Sequence, residues 1–232
     1  MAIFAISDLH LSFNCDKPME VFGNKWENYT ERMKDNWNKI VGNTDTVIIP
    51  GDISWATYIE DAVCDFEYIN NLNGKKLIFK GNHDYWWTTS KKMDLFLEKN
   101  GFNTISIIQN KSVIIEDTAI CGTRGWTVPA SLLSEDGKIF ERERQRLVLS
   151  LEDAKSKNAK KIIAAIHYPP CSDIPNEFGF TDILKAYNVS ECVFGHLHGN
   201  SHIAAPSGTI DGIKMHLVSC DYLGFTPLLI NR

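Results

Sequence analysis

Five apolar runs in this chain break off at the same kind of residue. Residues 2–7 lead into Asp8-Leu9-His10, residues 46–50 into Gly51-Asp52, and residues 76–80 into Gly81-Asn82-His83-Asp84. Residues 161–167 end on His167 itself, and residues 191–194 lead into Gly195-His196-Leu197-His198. Each run is short, rich in Ile, Val and Phe, and closed by Gly, Asp, His or Pro, which reads as a buried strand. Helical spacing fills the gaps between the early runs: Trp26, Tyr29, Met33, Trp37 and Ile40, then Ile59, Val63, Phe66 and Ile69. A third helix over 91–100 closes at Gly101, and a long one over 136–157 carries Phe140, Leu147, Leu151 and Ala154 on one stripe. Strands alternating with helices imply parallel sheet with helical crossovers. Ligands of such sheets bind at the carboxyl ends of the strands, so five strands deliver metal-competent side chains to one edge.

Further strands are expected over 112–116, 119–122, 200–204, 213–219 and 227–230. The hairpin-like segment 208–212 suggests antiparallel additions in the last third. The expected architecture is α/β: two mixed sheets packed together, helices outside, with residues 1–232 forming a single domain. Extended backbone turns positions i and i+2 to the same side, which would let Asp8 and His10 face one site, and likewise His196 and His198.

Composition narrows the partners. With 24 Lys and Arg against 29 Asp and Glu, the net charge is −5, so clustered cations for an extended nucleic acid are not expected. A hydrophobic share of 44% excludes a disordered chain. No run approaches the roughly 18 apolar residues of a membrane span, and the first residues lack a signal-peptide pattern, so a cytoplasmic protein without a membrane partner is expected. Six cysteines are scattered with no CxxC pair, which reads as reduced thiols rather than a structural zinc site.

Taken in order, Asp8-x-His10, Gly51-Asp52, Gly81-Asn82-His83-Asp84, His167 and Gly195-His196-x-His198 resemble the motifs of the calcineurin-like metallophosphoesterase superfamily. The stretches Gly51-Asp52-Ile53-Ser54-Trp55 and Cys121-Gly122-Thr123-Arg124-Gly125-Trp126 look like a small bacterial subgroup of stand-alone predicted phosphohydrolases. The resemblance implies a four-layer α/β/β/α sandwich with a binuclear metal centre. Position by position, it implies that Asp8, His10 and His198 hold one metal, that Asn82, His167 and His196 hold the second, and that Asp52 bridges both. It implies that His83 sits over the leaving group without being a ligand, with Asp84 orienting its ring and raising its pKa.

That donor set of imidazole, carboxylate and one amide oxygen suits two divalent transition-metal ions (Mn, Fe, Zn, Ni or Co) better than Ca²⁺. The implied reaction is hydrolysis of a phosphomonoester or phosphodiester by in-line attack of a hydroxide bridging the two metals, on a small phosphorylated substrate. Arg124, in a Gly-flanked turn after an apolar run, is a candidate clamp on a substrate phosphate. The chain departs from the phosphoprotein phosphatases of the superfamily, whose longer Gly-Asp-x-Val-Asp-Arg-Gly motif is replaced by Ile53-Ser54-Trp55 after Asp52. A non-catalytic metal-binding scaffold on the same fold is the alternative, disfavoured because every motif position is filled.

Other residues have plainer readings. Trp55, Tyr85, Trp86 and Trp87 flank two of the motifs and are expected mainly as core, with stacking on an aryl group as the alternative. His202 and His216 match no motif and are expected to be structural. The run 141–146 interleaves Glu and Arg, which makes a solvated helix face with local pairs.

Overall fold

The computed structural model describes residues 1–171 and 179–232. Strands β1 (Ile3–Ala5), β2 (Thr46–Pro50), β3 (Lys75–Phe79) and β4 (Ile105–Ile107) pair in parallel. A second set comprises β5 (Val113–Ile115), β6 (Thr118–Thr123), β7 (Lys161–Ile166), β8 (Glu191–Phe194), β9 (Gly208–Ile210) and β10 (Ile213–Leu217). It forms a six-stranded sheet in the order β5-β6-β7-β8-β10-β9. Strand β11 (Leu228–Asn231) returns antiparallel to β1 and completes a five-stranded sheet, β11-β1-β2-β3-β4. Both sheets are mixed, because β5 and β9 also join their neighbours antiparallel.

Period-2 alternation decides which side chain enters which layer. In β2, Ile48 points into the space between the sheets, while Val47 and Ile49 point to the helix side. The inter-sheet core joins Ile3, Ala5, Ile48, Leu77 and Phe79 to Ile120, Ile163, Ala165, Val193 and Val218. Helices α1 (Tyr29–Ile40), α2 (Val63–Asn71) and α3 (Ser90–Asn100) cover the first sheet through Met33, Trp37, Phe66, Ile69 and Met93. Helices α4 (Glu135–Ser156) and α5 (Thr181–Ala186) cover the second, with the expected stripe of Phe140, Leu147, Leu151 and Ala154 turned inward. Three apolar interfaces between four layers make the α/β/β/α sandwich. The start of α4 is marked by Ser134, whose Oγ accepts from Gly137 N at 3.0 Å, with Glu135 and Asp136 on the positive end of the helix dipole.

Segment 200–204 is not a strand. Gly199–Ala204 forms a 3₁₀ turn, entered through Gly199 at φ +54°, a backbone setting that ends the extended run. Strand β4 and helix α5 were not anticipated. Three residues of alternation and six of helix are too short to show a period.

The two sheets meet at their carboxyl edge. Ser7 N donates to Val218 O at 2.8 Å and Cys220 N donates to Ser7 O at 3.0 Å, which pins the end of β1 beside the end of β10. The loops after β1, β2, β3, β7 and β8 therefore open into one space.

Candidate metal centre

The loop backbones are not extended. Asp8 (φ 60°), His10 (φ 46°), Asp52 (φ 52°) and His196 (φ 71°) all take the left-handed region. The expected i, i+2 alternation is thus replaced by tight turns, each left-handed residue costing about 1–3 kcal/mol of strain. Cross-links between loops hold these turns: Asp8 N donates to Gly51 O at 3.0 Å, His10 N to Asp52 O at 3.0 Å, and Leu11 N to Ile53 O at 2.9 Å. Gly51 is needed as glycine, because at φ +96° a Cβ would stand 2.6 Å from the Gly81 backbone and 2.8 Å from His167 Nδ1.

Two groups of donors converge in this space. Asp8, His10 and His198 place one ligand atom each within 4.8 Å of the others, and so do Asp8, Asp52 and His167. In the first, His10 Nε2 and His198 Nε2 are 3.3 Å apart and His198 Nε2 is 3.4 Å from Asp8 Oδ1. Such spacings match neighbouring ligands on one ion with bonds of about 2 Å. Beside the second, Asn82 Oδ1 lies 2.7 Å from His167 Nε2 and 2.9 Å from His196 Nδ1. Asp52 Oδ2 faces both, at 3.8 Å from His10 Nε2 and 3.4 Å from His167 Nε2. Asp8 Oδ1 is also 4.0 Å from His167 Nδ1, but that nitrogen is turned to Pro50 O at 3.0 Å.

The donor chemistry calls for a cation. His167 gives its Nδ1–H to the Pro50 carbonyl, which leaves the Nε2 lone pair facing the Asn82 amide oxygen. Two lone pairs at that distance repel unless a positive charge sits against them. His198 gives its Nδ1–H to Asp221 Oδ1 at 2.9 Å and turns Nε2 toward Asp8 Oδ1 at 3.4 Å, where a metal ion would replace the ring proton. Burial pushes His10 and His167 down to about 3, so both rings are neutral and fit to ligate. Burial also lowers His198, but the hydrogen bonds it gives to Asp221 and Asp8 overcome it and raise that ring to about 10. In Asp8, burial is overcome by the His198 hydrogen bond and the neighbouring imidazoles, and the carboxyl is held well below its usual range. Burial, with the charges of Asp8 and Asp84, pushes Asp52 well up. The residues present therefore fit divalent metal.

The family model described as calcineurin-like phosphoesterase matches residues 1–200. The chain belongs to the calcineurin-like phosphoesterase family. Solved structures share this phosphoesterase fold at low identity. A protein of unknown function, AQ665 from Aquifex aeolicus, has a TM-score of 0.51 at 16% identity, over 98% of this chain and 95% of that one. Phosphopantetheinyl hydrolase (PptH) from Mycobacterium tuberculosis has a TM-score of 0.53 at 13% identity, over 99% and 95%. TT1561 of Thermus thermophilus has a TM-score of 0.54 at 12% identity, over 84% and 81%. No curated protein matches the chain significantly. No helix among the described residues is long and apolar enough to cross a membrane.

Against the family pattern, Asp84 does not touch the His83 ring. Its buried carboxylate accepts from Gly81 N (2.7 Å), Ile53 N (2.8 Å), Asp52 N (3.0 Å), Trp86 Nε1 (3.0 Å) and Ser54 N (3.4 Å). Asp84 thus ties the Gly51–Asp52 loop to the Gly81–Asn82 loop. His83 gives its backbone N–H to Asp52 Oδ1 at 2.8 Å, its Nδ1 is buried without a partner, and burial lowers its pKa. The expected rise in the His83 pKa is therefore corrected to a fall. The His83 ring lies 4.5 Å from Trp55, which also stacks on His10 at 5.0 Å. Trp86 is core, while Tyr85 is exposed beside His83.

Arg124 is the residue expected to clamp a substrate phosphate. Its guanidinium pairs with buried Glu143 at 3.4 Å and lies 4.5 Å over Trp126. His216 pairs with Glu191 at 2.8 Å, as a structural histidine does. His202 lies 3.3 Å from Asp221. Asp221 was missed in the sequence. The signal was present, since Asp221 too follows an apolar strand, in Ser219-Cys220-Asp221, at the edge where the other site residues collect.

Proposed function

We propose that this chain is a metal-dependent phosphoester hydrolase acting on a small phosphorylated molecule. Asp8, His10 and His198 would hold one divalent transition-metal ion, Asn82, His167 and His196 a second, with Asp52 shared. The observation that carries the reading is Asp52 Oδ2 facing both donor sets, at 3.8 and 3.4 Å. Bound there, two such ions supply a nucleophile from water at neutral pH and neutralise the phosphoryl oxygens.

The remaining work belongs to the chain. Asp221 fixes the His198 ring and the Pro50 carbonyl fixes the His167 ring, so each Nε2 stays aimed at the centre. Asp84 locks the two loops that carry Asp52 and Asn82. His83, walled by Trp55, stands over the leaving group and, in its protonated form, donates a proton to the departing oxygen when that oxygen is basic. Trp55 and Tyr85 flank the same side and favour a flat or apolar leaving group. The mycobacterial neighbour's name, phosphopantetheinyl hydrolase, is in keeping with hydrolytic use of this fold.

The test is reconstitution. Metal-stripped protein is loaded with Mn²⁺, Zn²⁺, Ni²⁺ or Fe²⁺ and assayed with 4-nitrophenyl phosphate and bis(4-nitrophenyl) phosphate. Metal-dependent release of nitrophenol from either is expected. No release from either ester with metal bound would overturn the reading in favour of a scaffold.

A further inference from the structure

The four imidazoles at the donor cluster are not steadied in the same way. His198 and His167 each tie the nitrogen turned away from the cluster to a fixed acceptor, Asp221 Oδ1 at 2.9 Å and Pro50 O at 3.0 Å. Among the described residues, His10 Nδ1 and His196 Nε2 have no such hydrogen bond. An imidazole without that tether has a broad, weakly restrained torsion about its Cβ–Cγ bond. Each of these two rings lies instead against one aromatic side chain. Trp55 stacks on His10, with centroids 5.0 Å apart and planes inclined by 23°. Tyr168 covers His196, with centroids 4.0 Å apart and planes inclined by 34°.

Both aromatic rings are themselves held. Trp55 gives its Nε1–H to Met19 Sδ at 3.3 Å, and its backbone N–H to Leu11 O at 2.9 Å on the loop that carries His10. Tyr168 is buried, gives its backbone N–H to Arg124 O at 3.0 Å, meets His167 edge-on at 5.5 Å and packs on Trp126 at 5.2 Å. Gly125 makes room for that packing: at φ +75° a Cβ there would stand 2.7 Å from Ile166 Cγ2 and 3.3 Å from Tyr168 Cβ. The stretch Arg124-Gly125-Trp126 thus backs Tyr168, and the rings run Trp126, Tyr168, His196.

We propose that Trp55 and Tyr168 are positioning residues of the metal centre, each holding against its ring face the ligand imidazole that no side-chain hydrogen bond orients. The inference rests on the two-ion reading above. In that reading each ion takes one hydrogen-bonded imidazole, His198 or His167, and one stacked imidazole, His10 or His196. The stack supplies the fixed ring plane that an outer hydrogen bond supplies elsewhere.

The test is Mn²⁺ binding to metal-free protein, measured in competition with a fluorescent chelator so that two affinities are resolved. Trp55→Leu and Tyr168→Leu are each expected to weaken one affinity about tenfold and leave the other within about twofold of wild type. Trp55→Phe and Tyr168→Phe keep a ring face and are expected to stay within about threefold at both. Circular dichroism checks the fold, and the two leucine variants lie on different loops, so either one that folds is decisive. A folded leucine variant with both affinities unchanged, an equal fall in both, or phenylalanine variants as weak as the leucine ones would overturn the proposal. Failure of the two-ion reading shows separately, as fewer than two Mn²⁺ bound by the wild type, and would take the stacking role with it.

Discussion

Replacing Asp84 by Asn separates two accounts of this residue. If Asp84 served the His83 ring, the substitution would alter proton donation and leave stability nearly unchanged. The structure gives it a different task. One carboxylate oxygen accepts from Gly81 N and Asp52 N at 2.7 and 3.0 Å, the other from Ile53 N, Trp86 Nε1 and Ser54 N at 2.8, 3.0 and 3.4 Å. Asparagine keeps one acceptor oxygen and presents an NH₂ in place of the other. If its oxygen keeps the Ile53 side, the NH₂ faces the N–H groups of Gly81 and Asp52, and two buried donors lose their partner. At about 1–3 kcal/mol each, the cost is about 2–6 kcal/mol, a large part of the 5–15 kcal/mol typical of a domain. Burial pushes Asp84 up to about 6, opposed by these N–H groups, so the comparison belongs at pH 7.5 where the carboxylate is ionised. Urea unfolding followed by tryptophan fluorescence, on chelator-treated protein, measures the loss without metal. An unfolding free energy within about 0.5 kcal/mol of wild type would contradict the loop-tying role, since surface substitutions alone produce changes of that size.

Asp221→Asn weakens the anchor of His198 and is expected to lower metal affinity about 10–100-fold, read by competition with a chelator; unchanged affinity would remove Asp221 from the support of the site. His83→Ala is expected to slow alkyl phosphates far more than 4-nitrophenyl phosphate while metal content holds, and an equal slowing of both esters would deny it the proton-donor role. Asp153 is held down to about 2, chiefly by its hydrogen bond with Lys157. A depressed carboxyl stabilises above its unfolded value of 3.8 and loses that stabilisation as pH falls toward 2. After discounting for solvent screening, Asp153→Asn should cost about 1 kcal/mol at pH 7 and progressively less between pH 4 and 2. A difference that stays constant across that range would contradict the linkage.

The strand-end motifs made the layers and the site's neighbourhood legible, because strand edges and metal chemistry both leave marks in residue type. What they left unread was local backbone and distant partnership. Nothing in Asp8-Leu9-His10 announces that both outer residues are left-handed, since that follows from hydrogen bonds to Gly51 and Asp52 on another loop. The adjacency of His83 and Asp84 suggested a pair, yet the buried carboxylate is claimed by backbone N–H groups from two loops. Arg124 stood in the right turn, but Glu143, 19 residues away on α4, holds it. Asp221 obeyed the same strand-end rule as the residues that were picked out, and lacked only a neighbouring histidine in sequence.

Sharing of Asp52 between two ions is the central claim, and metal stoichiometry tests it most directly. Elemental analysis of protein reconstituted with Mn²⁺ is expected to give two ions per chain for the wild type and at most one for Asp52→Ala, with the fold retained by circular dichroism. A single ion in the wild type, or two ions retained without the Asp52 carboxylate, would contradict it.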